Sequence, residues 1–507
     1  MKKPSNSQEG VFMEIKTRRD FIKTLGVGVA AASLPSWIYS CALGKKKPNI
    51  LFIMSDDHAA HAISCYGSQV NQTPRLDKLA SEGMRFDNCF CTNGICAPSR
   101  ASILTGKYSH MNGMLDNKLE FDGRQQTLPK LLKPAGYQTA MIGKWHLKSE
   151  PTGFDYYKVV PGQGKYFDPL FQTKNSWPET IEEKGYVTDI ITDEAIRFMQ
   201  TTDPEKPFLL MCHHKAPHRP WQPDPKHWEQ FKDREIPEPP TLFDDYKGKA
   251  EAVLNAEMTL ERHMHPLDTG GLIAPENLKG DDLIRWRYQH YMRNYLACIA
   301  SIDDNIGRIL DFLKTSGLEE NTIVIYTSDQ GFFLGDHGWF DKRFMYEESL
   351  RMPLIIRYPG VVPKGQVSED MVLNVDFAPT FLDFAGAAIP NDIQGENFRK
   401  ILKGRTPKNW RQSAYYHYYE YPAWHMVDAH YGIRTDRYKL IHYYGYTDEW
   451  ELFDLLKDPR EMNNIYNLPE YQDIIKTLKE NLYQLQAHYK VKKPVPKQIE
   501  RSETSLF

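Results

Sequence analysis

Four apolar runs in the sequence end in polar side chains whose types could hold a cation and an anionic ester. NILFIMS is followed by Asp56 and Asp57, and TIVIYTS is followed by Asp329 and Gln330. Carboxylate and carboxamide oxygens suit a hard divalent cation such as Ca²⁺ or Mg²⁺ better than zinc. The other two runs, TAMIGK and FLLMCHH, end at or near cationic or imidazole groups: Lys144, His146 and His218. Together these residues predict a pocket that binds a tetrahedral oxyanion ester and stabilises the charge that develops during its transfer.

The stretch CTNGICAPSRASILTG, residues 91–106, contains the candidate nucleophiles. Cys96 lies just before SRASILTG and Ser99 at its beginning, a segment that predicts the start of a helix, where backbone N–H groups and the helix dipole favour an anion. The residue types alone leave either side chain as the nucleophile. The nearby Cys89 and Cys91 leave thiol metal binding as an alternative to buried free thiols. A disulfide framework is not indicated, because seven cysteines contain no CxxC pair.

The elements that must position these residues follow from the same runs. Continuous apolar segments with polar ends are typical of strands in a largely parallel sheet that is buried on both faces. Helix-compatible segments at 74–83, 127–136 and 301–317 alternate with them and end near glycine. This alternation predicts an α/β sandwich, in which ligands bind outside the carboxyl ends of the strands. The four polar strand ends should therefore meet at one rim.

The pattern of apolar and polar residues changes after about residue 390. Alternating apolar and polar residues, beginning with the tyrosine-rich SAYYHYYEYPAWH, predict a small antiparallel sheet closed by a helix around 469–489. Residues 215–290 are proline-rich and charged, which predicts irregular chain with short helices. We therefore divide the sequence into an export signal, a catalytic domain and a C-terminal α+β subdomain: residues 1–44, 45–390 and 391–507.

The N-terminal segment TRRDFIKTLGVGVAAASLPSWIYSC joins a twin-arginine pair to a short apolar run. The run is short and interrupted by Pro35, which argues against an integral membrane span and for an export signal. Residues 38–41 resemble a weak lipoprotein processing site, so Cys41 is either lipidated or an ordinary signal residue, and either Met1 or Met13 is the start. The expected location is the periplasm, or the cell envelope if Cys41 carries a lipid anchor.

The charge balance excludes one class of partner. Lys+Arg 63 against Asp+Glu 66 gives a formal net charge of -3, with no long run of one sign. A nucleic-acid-binding protein would show a basic patch or stripe. An anionic substrate must therefore be bound by local cations.

A family resemblance rests on Cys96-Ala97-Pro98-Ser99-Arg100 followed by Leu104-Thr105-Gly106, which match the sulfatase signature C-x-P-S-R with its downstream L-T-G. Further matching stretches are SDDH, GKWHL, KAPHRP, SDQG and DKRFMYEES. The sequence from residue 48 to about 390 thus resembles the formylglycine-dependent type I sulfatases of the alkaline phosphatase superfamily. The resemblance implies the alkaline-phosphatase-like sandwich, with a large mostly parallel central sheet and a smaller C-terminal subdomain.

In that family the signature cysteine is oxidised to Cα-formylglycine (3-oxoalanine) by a formylglycine-generating or anaerobic sulfatase-maturating enzyme. One hydroxyl of the aldehyde hydrate attacks sulfur, and the other then drives release of sulfate. The resemblance implies a calcium or magnesium site held by Asp56, Asp57, modified Cys96, Asp329 and Gln330. It implies catalytic roles for Arg100, Lys144, His146, His218 and Lys342. Gln330 departs from the Asn or His common in relatives, although its carbonyl can bind Ca²⁺ equally well.

The segment DKRFMYEESLRMPLIIRYPG, with GQGKYFDP at 162–169, is most similar to N-acetylglucosamine-6-sulfatases and bacterial glycan sulfatases. Asp341 and Arg343 flank Lys342 and would bind the sugar. His425 and His430 could close over the same ring or could pack within the C-terminal subdomain. Three alternatives stay open: a sulfatase for another sulfated sugar or aryl sulfate, a phosphate or phosphonate monoester hydrolase, and a lipoprotein that binds sulfated glycans without turnover.

Overall fold

The elements of the fold are taken from a computed structural model that describes residues 46–492. Its strands are β1 (Asn49–Ser55), β2 (Met84–Phe86), β3 (Cys89–Phe90), β4 (Gln138–Lys144), β5 (Tyr156–Val160), β6 (Leu170–Thr173), β7 (Ile181–Glu182), β8 (Phe208–His214), β9 (Thr322–Ser328), β10 (Phe333–Leu334), β11 (Phe340–Asp341), β12 (Leu354–Arg357), β13 (Gln366–Ser368), β14 (Val372–Leu373), β15 (Ser413–Tyr418), β16 (His430–Thr435), β17 (Tyr438–Tyr443) and β18 (Glu449–Asp454). Its α-helices are α1 (Pro74–Ser81), α2 (Cys96–Thr105), α3 (Ser109–Asn112), α4 (Leu128–Leu132), α5 (Val187–Thr201), α6 (Pro225–Trp228), α7 (Glu251–Leu254), α8 (Gly280–Thr315), α9 (Glu347–Leu350), α10 (Phe377–Phe384), α11 (Arg399–Leu402) and α12 (Gln472–His488).

The central sheet has ten strands in the order β13-β2-β12-β9-β1-β8-β4-β5-β6-β7. The four strands predicted from the apolar runs are neighbours in it, and β9, β1, β8 and β4 are mutually parallel. Antiparallel pairs lie nearer the edges, where β12 pairs with both β2 and β9 and where β6 joins β5 to β7. The prediction of a large, mostly parallel central sheet is confirmed.

Both faces of this sheet are buried, because alternate residues of each strand enter two separate hydrophobic cores. In β1, Phe52 enters one core and Ile53 enters the other. The first core also contains α10 and residues of α2, and the second contains the buried face of α8. A strand buried on both sides has to be apolar at successive positions, which is why NILFIMS has no alternation.

The helix predictions are accurate for α1 and α4 but incomplete for α8. The predicted segment 301–317 is only the C-terminal half of a 36-residue helix that begins at Gly280. Its N-terminal half begins in the segment 215–290, whose composition predicts irregular chain with short helices, and extends beyond it. This half carries charged residues on one side and buries Tyr288, Tyr291 and Tyr295 on the other. Tyrosines do not mark an apolar stripe clearly, so the periodicity was hidden.

The C-terminal part of the chain forms a four-stranded antiparallel sheet in the order β15-β16-β17-β18, against which α12 packs. The predicted antiparallel sheet and closing helix are therefore present. The boundary at residue 390 stays a prediction. The export signal, Cys41 and the alternative start at Met13 lie outside the described residues. Within residues 46–492 no helix combines the length and the apolar composition that crossing a membrane would require.

Gly143 lies where β4 packs closely against β8. Its φ is 97°, and a Cβ there would lie 2.0 Å from the backbone oxygen of His213 on β8. We expect Gly143→Ala to lower the free energy of unfolding by more than about 3 kcal/mol, because the neighbouring strand must move. The measurement is urea denaturation followed by circular dichroism.

Gly67→Ala is the matched control, since Gly67 also has a positive φ of 86° but nothing lies within 4 Å of the added Cβ. It should cost only the strain of the left-handed backbone, about 1–2 kcal/mol. Equal losses for the two variants would contradict the close approach of β4 to β8.

Candidate active site

Three carboxylates meet at the carboxyl ends of β1 and β9. Asp56 and Asp57 follow β1, Asp329 follows β9, and all three are fully buried. Each offers an oxygen within 4.8 Å of the others, and the backbone N–H of Asp57 donates to Asp329 Oδ1 at 3.2 Å. The parallel pairing of the two strands brings residues that are about 270 positions apart in the chain into one cluster.

Three cations surround the carboxylates. Arg100 lies 2.9 Å from Asp329 Oδ2 through one terminal nitrogen and donates to the same oxygen through Nε at 3.0 Å. Lys342 Nζ donates to Asp57 Oδ2 at 2.7 Å, and Lys144 Nζ donates to Asp56. Because each carboxylate has a cationic partner, the cluster can remain charged although it is buried.

The pKa values of two of these carboxylates are shifted in opposite directions. Burial raises the pKa of Asp57 to about 6, with Lys342 acting against the shift. Burial acts the same way on Asp329, but Arg100, Lys144 and Lys342 outweigh it and hold that pKa below its usual value. Of these two carboxylates, Asp57 is the one whose charge the neighbouring cations compensate less.

Cys96 is the first residue of α2, so the helix begins earlier than the SRASILTG segment suggested. Its side chain is fully buried, and Sγ lies 3.9 Å from Gln330 Nε2. Burial raises the pKa of the Cys96 thiol to about 12, although Lys342 opposes this. The thiolate is the nucleophilic form of cysteine, so the unmodified thiol is a poor nucleophile at neutral pH.

Ser99, the other nucleophile that the sequence allowed, is occupied in structural hydrogen bonds. Its hydroxyl donates to the backbone carbonyl of Asp329 and accepts a hydrogen bond from Asn374 Nδ2 at 2.9 Å. With both functions of the hydroxyl used, Ser99 connects α2 to the end of β9. Of the two candidates, the geometry favours the side chain of residue 96.

Two imidazoles complete the site. His218 Nδ1 lies 2.6 Å from the backbone carbonyl of Arg219, which assigns the proton to Nδ1 and leaves Nε2 facing Asp57 Oδ2 at 3.7 Å. Asp56, Cys96 and His218 each offer an atom within 4.8 Å of the others. Burial lowers the pKa of both His146 and His218 well below the usual value, and neighbouring cations, Lys144 foremost, add to the shift. Both shifts favour the neutral form of the ring.

The predicted sugar-binding residues fall into two groups. Asp341 pairs with Arg343, and His425 Nε2 lies 2.9 Å from Asp341 Oδ2, so these three residues form a connected set beside Lys342. His430 is fully buried, with Nδ1 2.7 Å from the carbonyl of Asp428 and with Tyr416, Tyr418, Phe344 and Tyr443 packed around the ring. The structure therefore favours the packing interpretation for His430.

The thiol metal site that the sequence left open has no support. Cys89 and Cys91 are free, buried thiols, and burial raises both pKa values. Within the part of the chain that the structure describes, neither belongs to a cluster of side chains close enough to share a metal ion.

Sequence reasoning did not assign a role to Gln163, Tyr166 or Lys215. Lys144 Nζ donates to Gln163 Oε1 at 2.5 Å, and Tyr166 and Lys215 both contact the segment around His218. A signal was present, because Gln163 and Tyr166 lie in GQGKYFDP, and two glycines of positive φ flank Gln163. The spacing of the residues alone could not show that this loop reaches the ends of β4 and β8.

The residues present fit a hard divalent cation. Asp56 Oδ1 and Gln330 Oε1 are buried oxygen atoms without a hydrogen-bond partner among the described residues. Ca²⁺ or Mg²⁺ would coordinate oxygen atoms of this kind and neutralise the charge of the neighbouring Asp57 carboxylate, whose pKa is raised. The group that could hold such an ion consists of Asp56, Asp57, Asp329, Gln330 and the side chain of residue 96.

A mostly parallel sheet with helices on both faces, and a buried cluster of carboxylates and cations at its carboxyl edge, defines a hydrolase of the alkaline-phosphatase-like fold. Residues 48–387 match the family model described as Sulfatase, and residues 335–488 match the one described as N-sulphoglucosamine sulphohydrolase, C-terminal. The chain belongs to the sulfatase family, and it is therefore an enzyme that hydrolyses sulfuric esters.

Individual relatives narrow the comparison. The chain is 49% identical to an N-acetylglucosamine-6-O-sulfatase of Bacteroides thetaiotaomicron, over 96% of this chain and 93% of the relative. It is 50% identical to a protein solved in complex with its substrate D-glucosamine-2-N,6-O-disulfate, with a TM-score of 0.86, covering 89% of this chain and 99% of that one. A phosphonate monoester hydrolase of Agrobacterium radiobacter has a TM-score of 0.72 at 22% identity, covering 87% of this chain and 96% of that one, which shows a shared fold alone.

Ser99→Ala separates the two candidate nucleophiles. We expect it to lower the free energy of unfolding by about 1–3 kcal/mol, because the Asp329 carbonyl and the Asn374 amide lose a buried partner. Activity should remain measurable, whereas Cys96→Ala should have none while keeping its fold. Sulfate release and urea denaturation of both variants are the measurements, and loss of all activity in a folded Ser99→Ala protein would contradict this assignment.

Proposed function

We propose that this enzyme is a calcium-dependent sulfatase that removes the 6-O-sulfate of N-acetylglucosamine in glycans, using a formylglycine made from Cys96. The observation that carries the proposal is the convergence, within 4.8 Å, of Cys96, the Asp56 carboxylate and the His218 imidazole at the carboxyl edge of the sheet. The similarity over nearly the whole chain to an N-acetylglucosamine-6-O-sulfatase supports the substrate. The relative solved with a 6-O-sulfated glucosamine supports the same position of the ester.

Residue 96 needs the modification for a physical reason. A thiol whose pKa burial raises to about 12 is almost entirely protonated at neutral pH, and α2 holds it in a site with no solvent exposure. An aldehyde hydrate at this position supplies an oxygen nucleophile together with a second hydroxyl that allows sulfate to be released. A maturating enzyme that oxidises Cys96, of the formylglycine-generating or anaerobic class, is therefore a required partner.

The cation would be held by Asp56, Asp57, Asp329, Gln330 and residue 96, and its charge would polarise the sulfate and favour the deprotonated nucleophile. Gln330 fits this set because its Oε1 is buried and has no protein donor among the described residues. Asp57 would gain more from the ion than Asp329, since the net shift raises the pKa of Asp57 to about 6 and lowers that of Asp329.

The cations and imidazoles divide the remaining work. Arg100, Lys144 and Lys342 are fixed by the carboxylates and would balance the negative charge of the sulfate. His218 Nε2 faces the carboxylate cluster, 3.7 Å from Asp57 Oδ2, and would deliver a proton to the leaving alcohol. His146 would assist the hydrate in releasing sulfate. Because burial and the neighbouring cations lower the pKa of His218, the negative charge of the ester would have to raise that pKa for the ring to carry the proton.

The sugar would be bound by Asp341 and Arg343. A 6-O-sulfate hangs from a primary carbon, so the sulfate can enter the buried cluster while the ring stays at the mouth. Asp341 would accept hydrogen bonds from ring hydroxyls and Arg343 would donate to them. His425, held at 2.9 Å from Asp341, would keep that carboxylate oriented.

We also propose that the protein is exported through a twin-arginine signal and acts in the periplasm or on the cell envelope. The supporting feature is the Arg18-Arg19 pair before a short apolar run. This would bring the enzyme to sulfated glycans outside the cytoplasm.

The substrate prediction is release of sulfate from N-acetylglucosamine-6-sulfate by protein whose residue 96 has been shown by mass spectrometry to be an aldehyde. We expect Asp341→Ala to lower kcat/KM on this sugar by at least about 10²-fold, with a smaller loss on a simple aryl sulfate that has no ring hydroxyls. A preference for a 2-O-, 3-O- or N-sulfate would contradict the substrate. A preference for aryl phosphate over aryl sulfate would contradict sulfatase activity as the main one.

The metal prediction concerns stability as well as rate. We expect Ca²⁺ at about a hundred times its Kd to stabilise the metal-stripped protein by about 3 kcal/mol, since it binds only the folded state. Asp57→Asn should largely abolish that gain, measured as the shift in Tm on adding Ca²⁺ or Mg²⁺.

Asp303→Asn is the control for the metal experiment. Asp303 is another buried carboxylate, but it accepts hydrogen bonds from the backbone N–H groups of Arg75 and Leu76 at the start of α1. This variant should be less stable with and without metal and should keep the calcium-dependent shift in Tm. An unchanged shift in Asp57→Asn would argue against the proposed ligand set.

A further inference from the structure

The backbone carbonyl of His218 accepts hydrogen bonds from two buried side chains. Tyr166 donates its hydroxyl hydrogen to this carbonyl at 2.8 Å, and Lys215 Nζ donates to it at 3.3 Å. Tyr166 and Lys215 are each only 1% exposed. Neither side chain donates a hydrogen bond to Asp56, Asp57 or Asp329. Both instead contact the main chain of the residue whose imidazole faces Asp57.

Lys215 is an unusual residue to bury at this point. Among residues 46–492 no carboxylate lies within 4.0 Å of its ammonium group, which packs over the Tyr166 ring at 4.4 Å from the centroid. A buried ammonium without a direct counterion is costly, and the cation–π contact offsets only part of that cost. Its hydrogen-bond acceptors are the carbonyls of His218 and, at 3.4 Å, Arg219.

The second of these carbonyls controls the imidazole. His218 Nδ1 lies 2.6 Å from the carbonyl of Arg219, so the orientation of the ring depends on where that carbonyl points. Tyr166 and Lys215 both donate to the His218 carbonyl, and Lys215 also donates to the Arg219 carbonyl. The direction of Nε2, which lies 3.7 Å from Asp57 Oδ2, follows from the position of that main chain.

We infer that Tyr166 and Lys215 are positioning residues that aim His218 Nε2 at the leaving oxygen of the ester. The inference rests on the proposed role of His218 as the group that protonates the leaving alcohol. Tyr166 belongs to the GQGKY segment, which would therefore take part in proton delivery. The sequence alone assigned no role to this segment. Neither residue contacts the reacting atoms.

Proton delivery matters in proportion to the basicity of the leaving group. The C6 oxygen of a sugar leaves as a strongly basic alkoxide unless it is protonated, whereas a nitrophenolate leaves readily without a proton. A defect in positioning His218 should therefore slow the sugar sulfate far more than an activated aryl sulfate. A general loss of stability would slow both substrates alike.

The test compares Tyr166→Phe with Tyr186→Phe in the mature, metal-loaded enzyme. Tyr186 is the matched control because its ring stacks on that of Tyr166 at 6.0 Å, while its hydroxyl lies 3.9 Å from Cys298 Sγ and not on the His218 segment. We expect Tyr166→Phe to lower kcat on N-acetylglucosamine-6-sulfate about threefold to tenfold, with KM and the rate on 4-nitrophenyl sulfate nearly unchanged. Tyr186→Phe should leave the ratio of the two rates at the wild-type value.

His218→Ala and the double variant Tyr166→Phe/His218→Ala complete the experiment. His218→Ala should lower kcat on the sugar sulfate by about 10²- to 10⁴-fold with a much smaller effect on the aryl sulfate. Adding Tyr166→Phe should then cost no further activity, because the hydroxyl acts through the missing imidazole. Lys215→Met, with its Tm recorded, should change the rate ratio in the same direction as Tyr166→Phe.

The outcomes separate the inference from the proposed function. If His218→Ala slows both substrates equally, the role of His218 in protonating the alcohol is wrong. If His218→Ala shows the leaving-group dependence but Tyr166→Phe slows both substrates equally, or adds its loss to the double variant, the positioning inference is overturned.

Discussion

The arrangement of this enzyme depends on the pairing of three buried carboxylates with three buried cations. Removing a carboxylate from water costs several kcal/mol unless a partner compensates it, so each ion here requires the others. Arg100 shows how far the dependence reaches. Its guanidinium contacts Asp329 after β9 and donates to the backbone carbonyl of Lys144 at the end of β4 at 2.6 Å, while its own main chain belongs to α2. One side chain therefore holds together two strand ends and the helix that carries residue 96.

The backbone is strained at several residues of the site. Asp57, His146, Asp341, Arg343 and His425 all have positive φ, a conformation that costs a non-glycine residue about 1–3 kcal/mol. The surroundings of Asp57 illustrate what imposes it, since Tyr295 donates its hydroxyl hydrogen to the Asp57 carbonyl at 2.9 Å. The next backbone N–H, that of His58, donates to Ser328 Oγ at 2.9 Å. The fold thus spends stability to direct several polar side chains into one small volume.

The C-terminal sheet takes part in this arrangement. Tyr416 on β15 donates to the backbone carbonyl of Arg343 and accepts a hydrogen bond from the N–H of Gly94, two residues before Cys96, at 2.9 Å. One buried hydroxyl therefore connects the proposed sugar-binding residues to the segment that leads into α2. Tyr416, one of the tyrosines from which the sequence predicts the C-terminal sheet, therefore also connects that sheet to the segment before the residue proposed to react.

The sequence by itself determined the central strands and the chemistry of their ends. Short apolar runs without alternation are typical of strands buried on both faces, and polar residues placed directly after them are expected at the carboxyl edge of the sheet. The sulfatase signature around Cys96 identified the family, which residues 48–387 confirm. Only the tertiary structure decided which contacts are made between distant parts of the chain. It gave the Ser99 hydroxyl a structural partner, enclosed His430 in aromatic rings, extended α8 back to Gly280, and brought Gln163 and Tyr166 to the ends of β4 and β8. These outcomes depend on loop paths and on hydrogen bonds between residues far apart in sequence, and local residue patterns carry no information about which distant partner a polar side chain will meet.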